Sequence, residues 1–417
     1  MINKLEVYIN FTSKIKVGTL VQKNNKIYFE YDKEFLSLGL NISPYKLPLK
    51  SGVQRCDDDI FDGIWGVFAD SLPDGWGRLL LDRHFKSKNI NPNTLTQLDR
   101  LAYVGDNGMG ALSYEPSQGI KENLKNMDLD QLFWSSQDIL KGSSEKLVDE
   151  LLVLGGSSGG ARPKVLVQID EDTDNIIYNS NKIQNRYHNY MIKFASSLDS
   201  IEIGKIEYAY ALMAKDAKLD MPTIKLLKGK TNSYFSVKRF DRIKNKRVHM
   251  HSVAGLIHSD FRYPTLDYDD LLNLTFHLTK NMQEVKKVFR LAVFNLIAHN
   301  RDDHAKNFSF LMNEKGVWSF SPVYDVTFSY GPGGEHSTLY MGEGKNPMPE
   351  HLQKLAKKYI IKDSIAIINE VQTVVSNWKH YAKKVDLNSN TTKEIDTQLN
   401  KNLIQYKVYN HGFKTFM

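Results

Sequence analysis

A short segment rich in acidic and amide side chains holds the residues of this sequence with the clearest chemical potential. Asp302 precedes Asn307 by five residues, and Asp325 follows a short way downstream. In phosphoryl transfer, one carboxylate orients the attacking hydroxyl, while an amide and a second carboxylate hold the magnesium that bridges the ATP phosphates. The spacing from Asp302 to Asn307 is that of the protein-kinase catalytic loop. These residues therefore predict a site for phosphoryl transfer from Mg-ATP.

Two predicted elements would position these side chains. Residues 308–312 and 317–320 have the composition of short strands, and a polar turn joins them. We expect this hairpin to return Asp325 to the side of Asn307. Upstream, residues 284–299 carry an apolar stripe at helical spacing, which predicts a helix that leads directly into the acidic segment.

A glycine- and serine-rich stretch, residues 155–160, is followed closely by Lys164 at the start of a predicted strand. This composition is atypical of a core segment, and its backbone N–H groups can surround an anion without interference from Cβ atoms. We interpret it as a phosphate-binding loop. A flexible linker is the alternative, since Gly/Ser runs are often linkers. The loop lacks the spacing of a Walker motif.

A lysine inside an apolar strand is a second candidate phosphate ligand. Lys193 lies in the predicted strand 190–194, and kinases place such a lysine on a central strand to hold the α- and β-phosphates. The alternative is a lysine on the solvent face of the strand. Residues 206–217 then predict a helix with Glu207 near its start. Glu207 could pair with Lys193 or act as a first-turn carboxylate on the helix dipole, and both interpretations stay open.

The composition indicates the class of protein. The chain has 417 residues, of which 41% are hydrophobic and 25% charged, as in a protein of two or three globular domains. Its single cysteine, Cys56, rules out an internal disulfide. We find no apolar signal core and no apolar run near the ~20 residues of a membrane span. The sequence therefore predicts a cytoplasmic protein without membrane contact, and its net charge of +7 permits contact with phosphates or nucleic acid.

The rest of the chain divides into regions of different composition. Residues 4–50 alternate like an antiparallel sheet, and residues 105–112 are expected to form a tight structural turn that enters a strand. Residues 116–145 predict a polar connection with one or two short helices. Residues 234–242 form a predicted strand that ends where a kinase has its hinge, and the chain after it is mostly helical.

These parts follow one another in the order of a protein-kinase-like fold: glycine loop, strand lysine, helix glutamate, hinge strand, helical lobe, aspartate loop, hairpin and second aspartate. The chain also resembles the HipA-like toxin kinases of bacterial type II toxin–antitoxin systems, over most of its length. The stretches that carry this resemblance are 70–83 (DSLPDGWGRLLLDR), 108–116 (GMGALSYEP), 155–164 (GGSSGGARPK), 237–242 (VKRFDR), 302–311 (DDHAKNFSFL) and 321–326 (SPVYDV).

The resemblance implies an α+β, protein-kinase-like bilobal fold with an N-terminal β-rich subdomain and an all-helical C-lobe. We accordingly predict a β-rich domain over residues 1–115, a kinase N-lobe with the glycine loop over residues 116–242, and a helical C-lobe with the catalytic and metal-binding loops over residues 243–417.

The resemblance also implies roles for single residues. Asp302 would act as the catalytic base or orient the substrate hydroxyl, and Asn307 and Asp325 would bind Mg²⁺. Lys193 would hold the ATP phosphates, Lys164 matches a family loop lysine near the ATP, and the backbone of the hinge would meet adenine. The complete predicted ATP-binding set is Ser157, Ser158, Gly159, Gly160, Ala161, Lys164, Lys193, Lys238, Arg239, Phe240, His304, Lys306 and Asn307.

Members of this family are regulated by phosphorylation of a serine in the glycine loop, which ejects that loop and disables ATP binding. The best-matched position is Ser157, and the adjacent Ser158 is the alternative. His304 is expected to order the catalytic loop through hydrogen bonds rather than to act as a metal ligand or base. Asp303 stands where the family often has glycine, so it competes with Asp302 for the role of base, although the loop spacing favours Asp302.

The predicted function is a Mg-ATP-dependent serine/threonine protein kinase, controlled by autophosphorylation, that acts as the toxin of a type II toxin–antitoxin system. Relatives phosphorylate aminoacyl-tRNA synthetases, which makes such an enzyme the expected class of protein substrate. The expected partner is a HipB-like helix-turn-helix antitoxin, and the kinase would bind operator DNA indirectly through it. Two alternatives stay open: a kinase-fold co-repressor or scaffold with low turnover, and a kinase for a small metabolite.

Overall fold

The computed structural model of the chain describes residues 2–120, 127–144, 146–178, 183 and 185–413. Helices and strands are both abundant, so the fold is of the α+β class that the sequence predicts. The strands are Lys4–Asn10 (β1), Lys14–Lys23 (β2), Lys26–Tyr31 (β3), Gln54–Arg55 (β4), Leu112–Glu115 (β5), Lys164–Asp170 (β6), Ile176–Tyr178 (β7), Tyr187–Lys193 (β8), Ile224–Lys228 (β9), Ser233–Lys238 (β10), Arg242–Ile243 (β11), Lys246–Arg247 (β12), His249–Ser252 (β13), Leu266–Asp267 (β14), Ser309–Met312 (β15), Trp318–Phe320 (β16) and Thr338–Leu339 (β17).

The helices are longer on average than the strands. They are Lys33–Leu38 (α1), Gly66–Ala69 (α2), Gly75–Ser87 (α3), Gln97–Val104 (α4), Leu129–Lys141 (α5), Val148–Gly155 (α6), Ile203–Asp216 (α7), Val253–Ile257 (α8), Tyr268–Thr279 (α9), Met282–Ile297 (α10), Pro349–Lys358 (α11), Ser364–Ser376 (α12), Trp378–Lys384 (α13) and Ser389–Phe413 (α14). Among the described residues, none of these helices is long and apolar enough to cross a membrane.

The chain forms two compact units. The first comprises Met1–Gly204, Thr223–His258 and Phe310–Val317. The second comprises Lys205–Pro222, Ser259–Ser309 and Trp318–Met417. The domain boundaries predicted after residues 115 and 242 stay predictions.

The first unit contains two five-stranded sheets. The N-terminal sheet has the strand order β4-β3-β2-β1-β5, and the second has the order β7-β6-β8-β10-β9 with antiparallel neighbours throughout. In β1, Leu5, Val7 and Ile9 are buried, as the alternation of the sequence predicts. Asn24 and Asn25 both have positive φ at the β2–β3 turn, which gives a two-residue hairpin the twist that its strands require.

The second unit is mainly helical, and α10 is its central helix. It packs against α9, α12 and α14. The apolar stripe predicted from the sequence is buried as expected. Its members are Val285, Val288, Phe289, Ala292 and Leu296. Burial of this face fixes the direction in which α10 leads the chain into the acidic segment.

Two predictions about secondary structure need correction. The region after residue 243 is not entirely helical, because it contains short strands such as the parallel pair of β14 and β17, where Leu266 lies opposite Thr338. Strands of two to four residues are too short to show the alternation on which a sequence-based prediction depends. The predicted connection 116–145 contains the helix α5, which at 13 residues is longer than the short helices expected there. Residues 121–126 and 145 of this connection lie outside the described part of the chain.

Candidate active site

The Asp302 loop follows α10 and is closed by its own amide side chain. The Nδ2 atom of Asn307 donates a hydrogen bond to the Asp302 backbone oxygen at 2.7 Å, and the Asn307 N–H donates to the His304 carbonyl at 2.8 Å. The Asp302 side chain is 50% exposed. Because the amide nitrogen of Asn307 bonds within the loop, its amide oxygen is the atom that can serve as a metal ligand. The loop therefore presents a carboxylate and an amide oxygen.

Asp303 has a different environment from its neighbour Asp302. Its side chain is buried and accepts hydrogen bonds from the Tyr268 hydroxyl at 2.9 Å and from the Thr338 N–H at 3.1 Å, and it contacts His336 Nδ1 at 3.0 Å. A buried carboxylate with these partners fixes the loop to the helical core and cannot reach a substrate. Of the two adjacent aspartates, only Asp302 is exposed enough to act on a hydroxyl.

Asp325 lies on a segment that is tied to the same loop. The hydroxyl of Tyr324 donates to the Lys306 backbone oxygen at 2.7 Å and is 2.6 Å from the Ser309 hydroxyl. Asp325 is exposed and has a φ of 54°, which is uncommon for a residue other than glycine. The structure thus brings the Asp325 segment and the residue that precedes Asn307 together, in the arrangement that the predicted hairpin required.

Phe261 supports the other side of the loop. Its ring lies 5.9 Å from the His304 ring, centroid to centroid, and Lys306 Nζ lies 4.2 Å from its centroid. Within the described part of the chain, the His304 Nδ1 atom has no hydrogen-bond partner. The expected hydrogen bond from this residue to the loop is made by its backbone carbonyl, which accepts from the Asn307 N–H, while the His304 ring packs against Phe261.

The donor atoms of the loop fit a magnesium ion. Asn307 and Asp325 offer hard oxygen ligands, and the described residues contain no group of three or more His, Cys, Asp or Glu residues that could hold a metal alone. Mg²⁺ commonly uses one or two carboxylates and completes its shell with phosphate oxygens and water. Phosphate oxygens of a nucleotide and water would complete the shell of such an ion.

In the first unit, the two candidate phosphate lysines lie opposite each other. Lys164 on β6 pairs in register with Lys193 on β8, and both residues are buried, with exposures of 5% and 8%. Lys193 Nζ also lies 5.6 Å from the centroid of the Phe235 ring. Directly opposed side chains of one sheet are close neighbours. Two buried lysines at opposed positions of one sheet suit an anionic ligand.

The glycine loop that precedes Lys164 has its serines turned inward. Ser157 Oγ donates to the Asn107 backbone oxygen at 2.6 Å, and Ser158 Oγ donates to the Gly155 oxygen at 2.5 Å. Ser158 is fully buried and Ser157 is 9% exposed. The composition of this segment is atypical of a core, but both of its serines are buried. Their hydroxyls satisfy carbonyl groups inside the protein. The contact with Asn107 joins residues far apart in the chain, and no local pattern signals it.

The predicted hinge has less free backbone than expected. The N–H of Lys238 donates to the Thr223 oxygen at 2.8 Å, and the N–H of Arg239 donates to the Asn189 oxygen at 2.8 Å. Lys238 Nζ forms an ion pair with Glu171 at 2.9 Å. These two amides donate within the protein, and recognition of adenine by the backbone of this segment stays a prediction. Adenine would then be contacted by carbonyl groups of this segment or by Phe240.

Glu207 is the fifth residue of α7, which begins at Ile203 and has no acidic residue in its first turn. It is also buried, with 3% exposure. The interpretation as a first-turn dipole carboxylate is therefore wrong. The ion pair with Lys193 stays a prediction.

A buried ion cluster holds the end of the hinge strand. Asp241 accepts two hydrogen bonds from Arg239, at 2.9 and 2.8 Å, one from Arg242 at 2.8 Å and one from the Gly110 N–H at 2.7 Å. Burial opposes ionisation, but the guanidinium groups of Arg239 and Arg242 outweigh it and hold the pKa of the Asp241 carboxyl well below its usual range. The turn 105–112 thus has a structural role, as predicted, and it is bonded to Asp241 and Arg242 at the end of the predicted hinge strand.

Replacement of Asp241 by asparagine should lower the free energy of unfolding by about 3–5 kcal/mol, since two buried guanidinium groups lose their counter-charge. The wild-type contribution should be present at neutral pH and be lost only in strong acid, because the folded-state pKa lies below the unfolded one. Chemical denaturation monitored by circular dichroism measures the loss. The control is Asp57→Asn, whose exposed pair with Arg55 should change stability by less than about 1 kcal/mol. Equal effects of both substitutions would contradict the prediction.

A second cluster in the first unit has the connectivity of a hydrolase triad. The Ser43 hydroxyl lies 3.0 Å from His251 Nε2, and His251 Nδ1 lies 2.6 Å from Asp70 Oδ2. Ser43 and His251 are completely buried, however, and Asp70 also accepts hydrogen bonds from the N–H and hydroxyl of Ser252. A nucleophile without access to substrate cannot act, so these residues anchor the start of α8.

The chain is similar to known proteins along most of its length. The family descriptions that match are the HipA N-terminal domain over residues 5–115 and the HipA-like C-terminal domain over residues 156–378. It is 25% identical over 202 residues to the "Putative kinase" of Haemophilus influenzae, covering 44% of this chain and 56% of that protein. It is 23% identical over 213 residues to the "Putative kinase Y4dM" of Sinorhizobium fredii, covering 46% and 52%. The chain thus spans about half the length of these curated relatives.

Among solved structures, HipA of Shewanella oneidensis, determined in complex with HipB and its operator DNA, superposes with a TM-score of 0.68 over 96% of both chains at 15% identity. At this identity the likeness concerns the fold, and it confirms the fold that the sequence resemblance implied. The C-terminal family description alone covers more than half of the 417 residues. The chain therefore belongs to the HipA family.

Proposed function

We propose that this protein is a Mg-ATP-dependent serine/threonine protein kinase that acts as the toxin of a type II toxin–antitoxin system. The observation that carries the proposal is the difference in exposure between the two adjacent aspartates of the acidic loop. Asp302 is half-exposed, whereas the adjacent Asp303 is buried among hydrogen-bond donors, and Asn307 is bonded to the Asp302 carbonyl. This geometry supports one reactive carboxylate beside one amide ligand, as phosphoryl transfer requires.

Each remaining polar residue has a proposed task. Asp302 would orient the substrate hydroxyl and receive its proton, while the Asn307 oxygen and the Asp325 carboxylate would hold Mg²⁺. The bound ion supplies positive charge that offsets the charge developing on the phosphate oxygens. Lys164 and Lys193 would hold the nucleotide phosphates, which is supported by their directly opposed positions on β6 and β8. The proposed partner of Lys193 is Glu207.

The proposed regulatory site is Ser157. Ser158 is fully buried and bonded inside its own turn, whereas Ser157 retains some exposure and lines a small cavity with Tyr103 and Leu152. A phosphorylated Ser157 would have no proton to donate to the Asn107 carbonyl, so it would lose its anchor and bring a dianion to a carbonyl oxygen. This asymmetry favours Ser157 over Ser158.

The proposed partner is a HipB-like helix-turn-helix antitoxin, because the structurally similar HipA of Shewanella oneidensis was determined with HipB and operator DNA. Contact with DNA would then be indirect. An aminoacyl-tRNA synthetase is the proposed class of substrate, and the cytoplasm is the proposed compartment, in keeping with the single cysteine.

Intact-mass measurement and phosphosite mapping after incubation with Mg-ATP test this function. We expect phosphate on Ser157 and loss of most incorporation in Ser157→Ala, whereas Ser158→Ala, the matched neighbour, should keep it. Phosphate mapped to another residue would contradict the regulatory assignment. A second reaction with cell lysate should show a labelled protein band. ATP consumption without any labelled protein would favour the metabolite kinase, and antitoxin binding without ATP consumption would favour the scaffold.

A further inference from the structure

The first turn of α3 is in contact with both ends of the glycine loop. The backbone N–H of Trp76 donates a hydrogen bond to the backbone oxygen of Gly160 at 3.1 Å. A Cβ atom on Gly75 would lie 2.7 Å from the Gly160 oxygen and 2.7 Å from Ala161 Cα, and a Cβ atom on Gly77 would collide with the carbonyl of Gly156. Such separations are below van der Waals contact, so only glycine lets the two backbones approach this closely.

Asp74 makes the side-chain contact in this arrangement. It occupies the N-cap position of α3, where a carboxylate ordinarily accepts a hydrogen bond from its own helix. The Asp74 side chain makes no such cap bond, and its Oδ1 instead accepts a hydrogen bond from the Gly160 N–H. The Asp74 side chain therefore binds the loop, and only the Asp74 backbone carbonyl accepts a hydrogen bond from the helix that it precedes.

Gly160, whose N–H binds Asp74, has a backbone conformation that favours glycine. Gly160 has a φ of 92°, which few other residues adopt, and Lys164 Nζ donates to the carbonyl of the preceding Gly159. Through Gly160, Asp74 is thus linked to the loop backbone that contacts one of the two opposed lysines. A glycine-rich loop has high backbone entropy, and a ligand that orders it loses affinity by that amount.

We propose that Asp74 is a positioning residue for nucleotide binding, which holds the glycine loop in an ordered conformation before the nucleotide arrives. Gly75 and Gly77 allow the close contact, and Asp74 fixes the Gly160 amide in place. This inference rests on the proposed kinase function, but the state of the loop can be measured without any activity.

The decisive comparison is between Asp74→Ala, which removes the acceptor, and Asp74→Asn, which keeps an oxygen acceptor of the same shape. We expect Asp74→Ala to raise the KM for Mg-ATP about tenfold with kcat within about threefold of wild type, as befits a loss of ground-state binding. Asp74→Asn should restore the KM to within about threefold. Asp82→Ala, on the same helix but paired with Arg100 at 3.0 Å, should leave the KM unchanged.

Hydrogen exchange of peptides that cover residues 155–163 provides the activity-independent measurement. Exchange should accelerate in Asp74→Ala and stay at the wild-type rate in Asp82→Ala. Gly75→Ala should accelerate it as well, because its Cβ displaces the loop while Asp74 is retained. Gly63→Ala is the matched control, since Gly63 also has positive φ but has no atom within 4 Å of an added Cβ.

Unchanged exchange of residues 155–163 in folded Asp74→Ala would overturn the proposal. So would a lower KM for Mg-ATP in that variant, because the carboxylate would then compete with phosphate instead of positioning the loop. If the wild-type protein turns over no ATP, the proposed kinase function fails, and the exchange experiment still decides whether Asp74 holds the loop.

Discussion

Replacement of Asp302 by asparagine is expected to lower kcat for phosphoryl transfer by roughly 10²–10⁴-fold, the range that loss of a general base or hydroxyl-orienting carboxylate produces. Asparagine has the shape of aspartate but cannot receive the proton of the substrate hydroxyl. The KM for ATP should change little, because the carboxylate is proposed to act on the hydroxyl and not on the nucleotide. Phosphate incorporation into protein, followed over time at saturating Mg-ATP, measures the effect.

Asp303→Asn is the natural control for this experiment, because the two positions are adjacent and the chemical change is identical. Asp302 is 50% exposed, so its substitution should alter stability by no more than about 0.5 kcal/mol. Asp303 is buried against His336, Tyr268 and Thr338, so its substitution should cost about 3 kcal/mol or more. If Asp302→Asn keeps a rate within a few fold of wild type, Asp302 is not the catalytic carboxylate.

Replacement of Asp325 by asparagine is expected to reduce kcat/KM on the order of 10²–10³-fold, as does the loss of one group that stabilises transition-state charge. Asparagine tolerates the positive φ of 54° found at this position, so the substitution removes the proposed metal ligand without adding backbone strain. Mg²⁺ affinity should fall because a neutral amide replaces a carboxylate. The measurement is the dependence of phosphate incorporation on Mg²⁺ concentration.

The Mg²⁺ concentration that gives half-maximal rate distinguishes a metal ligand from a structural residue. With Asp325→Asn, the Mg²⁺ concentration for half-maximal rate should rise, and excess Mg²⁺ should recover part of the activity. A useful comparison is Asp260→Asn, which changes an aspartate of the same unit that forms an ion pair with the exposed Arg262 at 3.3 Å. Should Asp325→Asn lose rate with an unaltered Mg²⁺ midpoint, the role of Asp325 as a metal ligand would be refuted.

The elements of the fold follow from local patterns in the sequence. Alternation in residues 4–31 predicts three strands, and the pair Asn24-Asn25 predicts the turn between two of them. The stripe in residues 284–299 predicts α10. The motif residues from Asp302 to Asn307 likewise have meaning at their own spacing, because they belong to one loop whose geometry is set over a few residues.

Contacts between distant residues were decided only by the tertiary structure. Asp302 and Asp303 are equivalent carboxylates in the sequence, and only the burial of Asp303 against His336 and Thr338 distinguishes them. The hydrogen bond from the Gly160 N–H to the Asp74 side chain joins residues 86 positions apart. A hint was available in the two glycines of the DGWG motif, which are unfavourable at a helix start unless another backbone packs there.

The sequence by itself determined which residues could do chemistry and which segments could fold as helices or strands, because residue type and short-range periodicity are local properties of the chain. Tertiary structure alone decided which carboxylate is exposed, which hinge amides are occupied and what holds the glycine loop. Those outcomes depend on solvent exclusion and on hydrogen bonds between segments far apart in the chain, and neither is encoded at any fixed spacing.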